Sequence, residues 1–344
     1  MKYLLTIAIP SSGRIATLNK NIDYLKTLVI KNHLEQSIEI IISDTANTIN
    51  KNIINYKHSF LKYYHSQNKD LDENIFTLIK KSSGKYIWFC QDHTKLIESS
   101  ILKIIKILQN NKNLKYIFAS TKKNYKLDNI TKKNGKLIGF RCVYLNTNIV
   151  EKDSIEKQYQ KIFDRFNGSH VVFQHSIIYI LLNLNNHLDY IILKDQNSFY
   201  KFFDDDVEHK KYTWSNDLNN YLKILSFSKL MIDDIQNTFS IDNHMVQKLY
   251  RKNDYSVQTI FKIAKLIIGK NNYNYYFDKF ILSNVLGHPT FSKFDKFFLK
   301  LILLKNKYII FLIKYFYLGE FYLLIFLPNI FIKKFFAKLT NFFK

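Results

Sequence analysis

The chain has 344 residues, 47% hydrophobic and 16% aromatic, with 51 basic against 28 acidic residues for a net charge of +23. A chain this apolar is not intrinsically disordered, and at roughly 100–200 residues per domain it has the length of two domains or of one large domain with an appendage. Two cysteines exclude a disulfide framework, three prolines and eight glycines exclude collagen-like or Pro/Gly-rich repeats, and no uncharged apolar run reaches the roughly 18 residues of a simple membrane span.

The opening apolar stretch, Tyr3 to Ile9, is short for a signal peptide and no small-x-small cleavage site follows it. It reads as a buried strand, Leu4–Ile9, ending at Pro10, and the expected setting is cytoplasmic with free thiols. Ala16–Leu34 places Leu18, Ile22, Leu25, Leu28 and Val29 at helical spacing. Ile38–Ile42 is a β-branched strand ending in Ser43-Asp44, and Leu61–His65 is a third strand. Asp72–Lys81 carries Ile75, Leu78 and Ile79 on one helical face. Tyr86–Phe89 is a fourth strand, delivering Cys90-Gln91-Asp92-His93; Ile97–Leu108 is a periodic helix and Leu114–Ala119 a fifth strand. Such strand–helix alternation predicts a parallel sheet covered by helices. In these sheets ligands sit beyond the carboxyl ends of the strands, here Pro10–Arg14, Ser43–Thr48, His65–Asp72 and Gln91–Thr94.

Residues 121–150 are Lys/Asn-rich and read as a loop or ribbon. Ser154–Phe166 is a helix, Val171–Leu182 an apolar run, and 183–235 mixes strand-like runs with Asp204-Asp205-Asp206 and Trp214. From Ile241 to Leu286 the pattern is mostly helical. After Pro289 the lysines at 293, 296, 300, 307 and 314 line one helical face against Phe and Leu, and Asn329–Lys344 repeats the scheme. Lys296 to Lys344 holds nine lysines and one acid, Glu320. Basic amphipathic helices of this kind suit an anionic membrane surface; the other reading is a terminal helical pair packed on the protein's own core, lysines outward. The charge argues weakly for nucleic acid, because the chain has only four arginines, Arg14, Arg141, Arg165 and Arg251, and base reading leans on arginine forks.

Four segments, in order, carry a family resemblance: Thr6 to Arg14 (TIAIPSSGR), Ile41 to Thr48 (IISDTANT), Asn68 to Asn74 (NKDLDEN) and Gly84 to Leu96 (GKYIWFCQDHTKL). Together they resemble the family-2 glycosyltransferases, inverting nucleotide-sugar enzymes with a GT-A fold. The resemblance spans residues 1–120. The residue pattern gives a helical C-terminal extension, 236–290 as a helical segment and 291–344 as basic amphipathic membrane-associating helices; the resemblance implies an α/β, GT-A (Rossmann-like) transferase domain over 1–235, its nucleotide-sugar-binding half 1–120 and acceptor half 121–235. It further implies that Pro10, Ser11 and Arg14 border the nucleotide, that Asp44 accepts a hydrogen bond from the base, and that Asp72 lies beside the donor. Asp92 would contact the ribose or a metal-bridged diphosphate.

The expected donor is a UDP-sugar and the expected acceptor a glycan, lipid-linked, in surface polysaccharide or lipooligosaccharide assembly on the inner face of the cell membrane. Where relatives carry two or three acids, this chain has Asp92-His93-Thr94. That leaves three readings open: a divalent cation, Mn²⁺ or Mg²⁺, held by Asp92 and His93; metal-independent transfer with lysines neutralising the diphosphate; or loss of activity, in a fold that binds without catalysing. Read from the segment alone, Asp92 is either a ligand at a strand end or the N-cap of the helix that follows. Inverting transfer needs a carboxylate base. Asp204, Asp205 and Asp206 are candidates, against the reading of a solvated acidic turn, and Asp164 is a weaker one. His175 is either an acceptor-side residue or a core histidine, and Trp214 either stacks on a sugar or packs in the core.

Overall fold

The structure is a computed structural model; it describes residues 2–46, 49–50, 53, 58–66, 70–120, 145–169, 171–184, 189–194, 199–202, 218–240, 279–288, 293, 296–297 and 299–300. Chain contacts divide it into two units, Met1–Thr213 with Leu230–Asp242, and Trp214–Lys229 with Asn243–Lys344.

In the first unit β1 (Tyr3–Ser11), β2 (Ile38–Asp44), β3 (Leu61–His65), β4 (Gly84–Phe89), β6 (Tyr116–Ser120), β7 (Asn148–Glu151) and β8 (Tyr190–Lys194) form one sheet in the order β3-β2-β1-β4-β7-β6-β8. Six strands share a direction, and β7 runs against its neighbours β4 and β6. Two further strands, β5 (Thr94–Leu96) and β9 (Tyr200–Phe202), pair antiparallel. Strands covered on both faces read as continuous apolar runs rather than alternating ones. All seven residues of β2 are buried, and Leu5, Ile7, Ala8 and Ile9 of β1 are fully so. Each fully buried Leu or Ile side chain among them stabilises the fold by roughly 1.5–3 kcal/mol.

The helices bury the faces their periodicity marks. Helix α1 (Ile15–Lys31) buries Leu18, Ile22, Leu25, Leu28 and Val29. It ends three residues before the sequence pattern does. His33 takes φ 54°, its N–H reaches the Ile30 carbonyl, and the Leu34 N–H reaches that of Val29. That pair of bonds is a Schellman stop, in which the last apolar residue packs beyond the helix rather than within it. Helix α2 (Leu71–Lys81) is capped by Asp70, whose carboxylate accepts from the Asp72 and Glu73 N–H groups, with Lys80 and Lys81 in its last turn. Helix α3 (Glu98–Asn110) has Ile97 at its N-cap. Asp92 is therefore not a helix cap: β5 intervenes. Helix α4 (Lys152–Phe166) starts two residues before its expected span and ends with it. The apolar run after Val171 is α5 (Val172–Asn183), buried on nearly every side.

Within 183–235 the strand-like pattern holds for β8 and β9, but α6 (Leu218–Phe239) is helical throughout and runs on past residue 235. Leu222, Leu225, Ile232 and Ile235 recur at helical spacing and are buried. A polar knot ties the first unit's helices together. Asp234 of α6 pairs with Arg165 of α4 at 2.5 Å, accepts from Tyr179 OH of α5, and lies 3.1 Å from His175 Nε2. His175 is thus a core histidine. Burial, helped by Arg165, holds its pKa below the usual value despite Asp234. In the second unit α7 (Lys279–Gly287) ends at His288, whose pKa is pushed down to about 3 by burial and by the ammonium groups of Lys229 and Lys296.

At the amino end of β4 the sheet admits no side chain. A Cβ on Gly84 would lie 2.5 Å from Thr6 Oγ1 and 2.6 Å from the Thr6 backbone nitrogen, and the Gly84 N–H donates to that same hydroxyl. Backbone atoms cannot move aside as a flexible side chain could. Gly84→Ala is therefore expected to cost about 1–3 kcal/mol, read as a lowered urea midpoint.

Among the described residues no helix is long and apolar enough to cross a membrane. The basic segment expected after Pro289 lies almost wholly outside the described residues.

Candidate functional site

The parallel register brings the ends of the first strands into line. Ser11 of β1 lies opposite Asp44 of β2, Asp44 opposite His65 of β3, and the Cys90 N–H after β4 bonds the Ala8 carbonyl. The segments that follow these strands therefore emerge at one edge of the sheet.

Asp92 lies at the centre of this edge and is fully buried. Arg14 approaches it as a fork, Nη2 2.6 Å from Oδ1 and Nε 3.1 Å from Oδ2. Ser11 Oγ donates to Oδ2 at 3.1 Å, His93 Nδ1 lies 3.1 Å from Oδ1, and Asn21 Nδ2 donates to the Asp92 carbonyl. Burial by itself raises a carboxyl pKa; here the His93 contact and the Arg14 guanidinium outweigh it and hold Asp92 below its ordinary value. Arg14 reaches this position because Gly13 turns the chain with φ 83°, in the left-handed region glycine favours.

Asp44 is also fully buried. Its Oδ1 accepts from the Ala46 N–H, and its Oδ2 accepts from Tyr63 OH at 3.0 Å. Burial, with the Asp44 carboxylate adding to it, pushes Tyr63 up to about 12, so the phenol keeps its proton and donates. The Asp44 and Asp92 neighbourhoods meet at one backbone group: the Ser11 carbonyl accepts from the Thr45 N–H, from Thr45 Oγ1 and from Asn74 Nδ2. Asn74 stands two residues after Asp72 in the first turn of α2, and the Asp72 carbonyl accepts from the buried Tyr159 OH. Pro10 pairs in register with Ser43. The residues expected around a nucleotide, Pro10, Ser11, Arg14, Asp44, Asp72, Asp92 and His93, thus gather at one sheet edge. Three buried polar atoms there, Asn21 Oδ1, Ser43 Oγ and Asn74 Oδ1, have no hydrogen-bond partner among the described residues, which marks the edge as a place for a polar ligand or for water.

The expected metal pair does not fit a cation in this arrangement. Both Asp92 oxygens are taken up by Arg14, Ser11 and His93. Thr94 Oγ1 accepts from Asn146, and among the described residues no three His, Cys, Asp or Glu side chains come together. The expected bases Asp204, Asp205 and Asp206, and likewise Trp214, lie outside the described residues. Asp164 is exposed on α4 and accepts from Gln160 of its own helix, as a solvated face does.

Asn146 is a site residue the sequence reading missed. It sits in the 3₁₀ turn Leu145–Thr147 ahead of β7. Its Oδ1 accepts from the Gln91 N–H at 2.7 Å, its Nδ2 donates to Gln91 Oε1 and Thr94 Oγ1, and its carbonyl accepts from Trp88 Nε1. These bonds pin the turn that carries Asp92. Asn146→Ala strands the Gln91 N–H and is expected to cost ~1–3 kcal/mol; Asn146→Asp keeps that acceptor but loses the donor to Gln91 Oε1 and buries an unpaired charge, and is expected to cost at least as much in the same urea unfolding series.

No protein-family model and no curated protein sequence matches the chain. Among solved structures it is similar to the 1–349 fragment of S. aureus TarS in complex with UDP-GlcNAc, at 12% identity over 92% of each chain and a TM-score of 0.58. The same fragment in complex with UDP gives 13% identity, 92% of each chain and a TM-score of 0.54. Against a longer TarS crystal structure 89% of this chain covers 54% of the other, at 11% identity and a TM-score of 0.54. With a mixed seven-stranded sheet flanked by helices, the chain has the α/β, Rossmann-like GT-A glycosyltransferase fold.

Proposed function

We propose that the chain is a glycosyltransferase that takes a sugar from a nucleotide-sugar donor, a UDP-sugar, and passes it to a glycan acceptor by inverting displacement. The observation that carries this is the convergence of Ser11, Arg14, Asp44, Asn74 and Asp92 on one edge of a GT-A sheet. The TarS structures of the same fold hold UDP-GlcNAc and UDP, which supports the donor class. In this reading Pro10, Ser11 and Arg14 border the nucleotide, Asp44 meets the base, Asp72 lies beside the donor and Asp92 stands behind Arg14 on the side of the ribose and diphosphate. A carboxylate among Asp204, Asp205 and Asp206 takes the proton of the acceptor hydroxyl. The hydroxyl oxygen bonds the anomeric carbon, and that carbon's bond to the diphosphate breaks with the electron pair leaving on UDP.

The acceptor is a lipid-linked glycan of surface polysaccharide or lipooligosaccharide, and the Lys- and Phe-rich segment 291–344 holds the enzyme on the inner face of an anionic membrane. Incubation of the full chain with a panel of nucleotide sugars tests the reaction. Release of UDP, or of another nucleoside diphosphate, is the expected result. A folded chain that neither turns over any donor nor gains thermal stability with UDP overturns the reading, whereas UDP binding without turnover selects a binding protein of the same fold. Deleting residues 291–344 is expected to move the protein from the vesicle-bound to the soluble fraction; continued pelleting defeats the membrane claim.

A further inference from the structure

The Arg14 guanidinium stands where a carboxylate-held cation would stand. Its Nε and Nη2 engage both oxygens of Asp92, and Ser11 Oγ and His93 Nδ1 lie on the same two atoms. A small divalent ion such as Mg²⁺ needs carboxylate oxygens at about 2.0–2.1 Å and near-octahedral geometry. It would have to displace the fork from a fully buried carboxylate. Among the described residues Gln91 and Thr94, the polar neighbours in the same turn, are both bonded to Asn146 and do not replace what would be lost. Arg14 differs from Asp92 in one respect that matters: its side chain is 20% exposed while that of Asp92 is 0%. The guanidinium therefore lies between the buried acid and the surface. A planar guanidinium also matches phosphate oxygens through two parallel N–H bonds, which an ammonium cannot do.

We infer that the diphosphate of the donor is neutralised by the Arg14 guanidinium in place of a divalent cation, with Asp92 acting as a positioning residue that aims Arg14. The inference rests on the nucleotide-sugar reading above. When the bond between the anomeric carbon and the diphosphate oxygen breaks, the electron pair stays on that oxygen, and Arg14 is the group that meets the charge. Ser11 and Asn21 keep the arrangement rigid by bonding the Asp92 carboxylate and carbonyl. Preorganised charge of this kind needs no reorganisation as the bond breaks.

Calorimetric titration of UDP into the full chain tests this, once in Mn²⁺ and once in EDTA. The wild-type Kd is expected to agree between the two buffers within about threefold, less than the tenfold step that 1.4 kcal/mol would produce. Arg14→Ala is expected to weaken UDP by roughly 10- to 100-fold in both buffers, the range for charge-assisted hydrogen bonds. Arg14→Lys, which keeps the charge without the fork, should fall between. If EDTA weakens wild-type binding by about tenfold or more, a metal carries the diphosphate and the inference fails. It fails equally if both Arg14 variants, shown to be folded by circular dichroism, bind UDP as wild type does. Should Arg14→Ala not fold, the buffer comparison on wild type and the Arg14→Lys variant decide. A folded wild-type chain that binds neither UDP nor GDP in either buffer overturns the nucleotide-sugar reading itself.

Discussion

Asp92→Ala is expected to abolish donor turnover and to destabilise the fold by about 3 kcal/mol, the low end of the range for breaking a buried ion pair. The low end applies because Arg14, left without its partner, is 20% exposed and can reach water. Ser11 Oγ loses its acceptor and His93 Nδ1 its neighbour at the same time. The loss of activity has a different origin from the loss of stability. Without the carboxylate no other acid among the described residues holds the Arg14 fork in one orientation, and on the proposed reading the group that meets the diphosphate becomes one rotamer population among several. Asp92→Asn separates the two effects. It keeps the volume and one acceptor oxygen, so the stability loss should shrink. Its amide nitrogen faces a guanidinium, so turnover should stay low. Urea unfolding and nucleotide release, measured on both variants, check the pair of outcomes. Full turnover by folded Asp92→Ala would remove Asp92 from the site.

The sequence carried the outline of this site more fully than its wiring. Strands β1 to β4 and helices α1 to α3 are legible because each is long enough for its apolar spacing to repeat, and because the turn residues between them are polar. Ser11, Asp44 and Asp92 stand at strand ends, so their gathering follows once the strands are known to be parallel. What joins them is not legible. Arg14 and Asp92 are 78 residues apart, and nothing in either segment names the other. Asn146 was hidden for a second reason. It precedes β7, a strand of four residues lying in the middle of the sheet against its neighbours' direction. Four residues give too few alternations to stand out beside the Lys/Asn-rich stretch before them. Helix α5 escaped assignment because it is buried on nearly all sides and shows no polar face.

A second buried carboxylate, Glu39, is expected to matter for the fold and not for the site. It is fully buried at the start of β2. It accepts from Lys62 Nζ at 2.7 Å, from Thr6 Oγ1 at 2.8 Å and from the Ser83 N–H at 2.6 Å. Burial pulls its pKa upward, but these bonds and the Lys62 charge outweigh burial and hold it below the ordinary value. The linkage has a definite sign. A carboxylate with a depressed folded pKa contributes its full stability above the unfolded value, roughly 4.3 for Glu, and loses it as pH falls through the folded value. Glu39→Gln can keep its amide oxygen where Oε2 accepts from the Ser83 N–H and Thr6 Oγ1, which sets its amide nitrogen against Lys62 Nζ. It is expected to cost about 1 kcal/mol near neutral pH, through the weaker neutral acceptor left to two buried donors and the lost Lys62 bond. The lost ion pair is the smaller part, because Lys62 is 35% exposed and screened by solvent. The gap between wild type and variant should narrow as the pH of the urea series is lowered past the folded pKa, where Glu39 too carries a proton. Glu39 lies five residues along β2 from Asp44, roughly 17 Å at about 3.3 Å per residue. UDP affinity of the folded variant should therefore match wild type. A variant that lost affinity in step with stability would mean that the two ends of the sheet are coupled, and a pH-independent gap would mean that Glu39 does not fold as the ionised form.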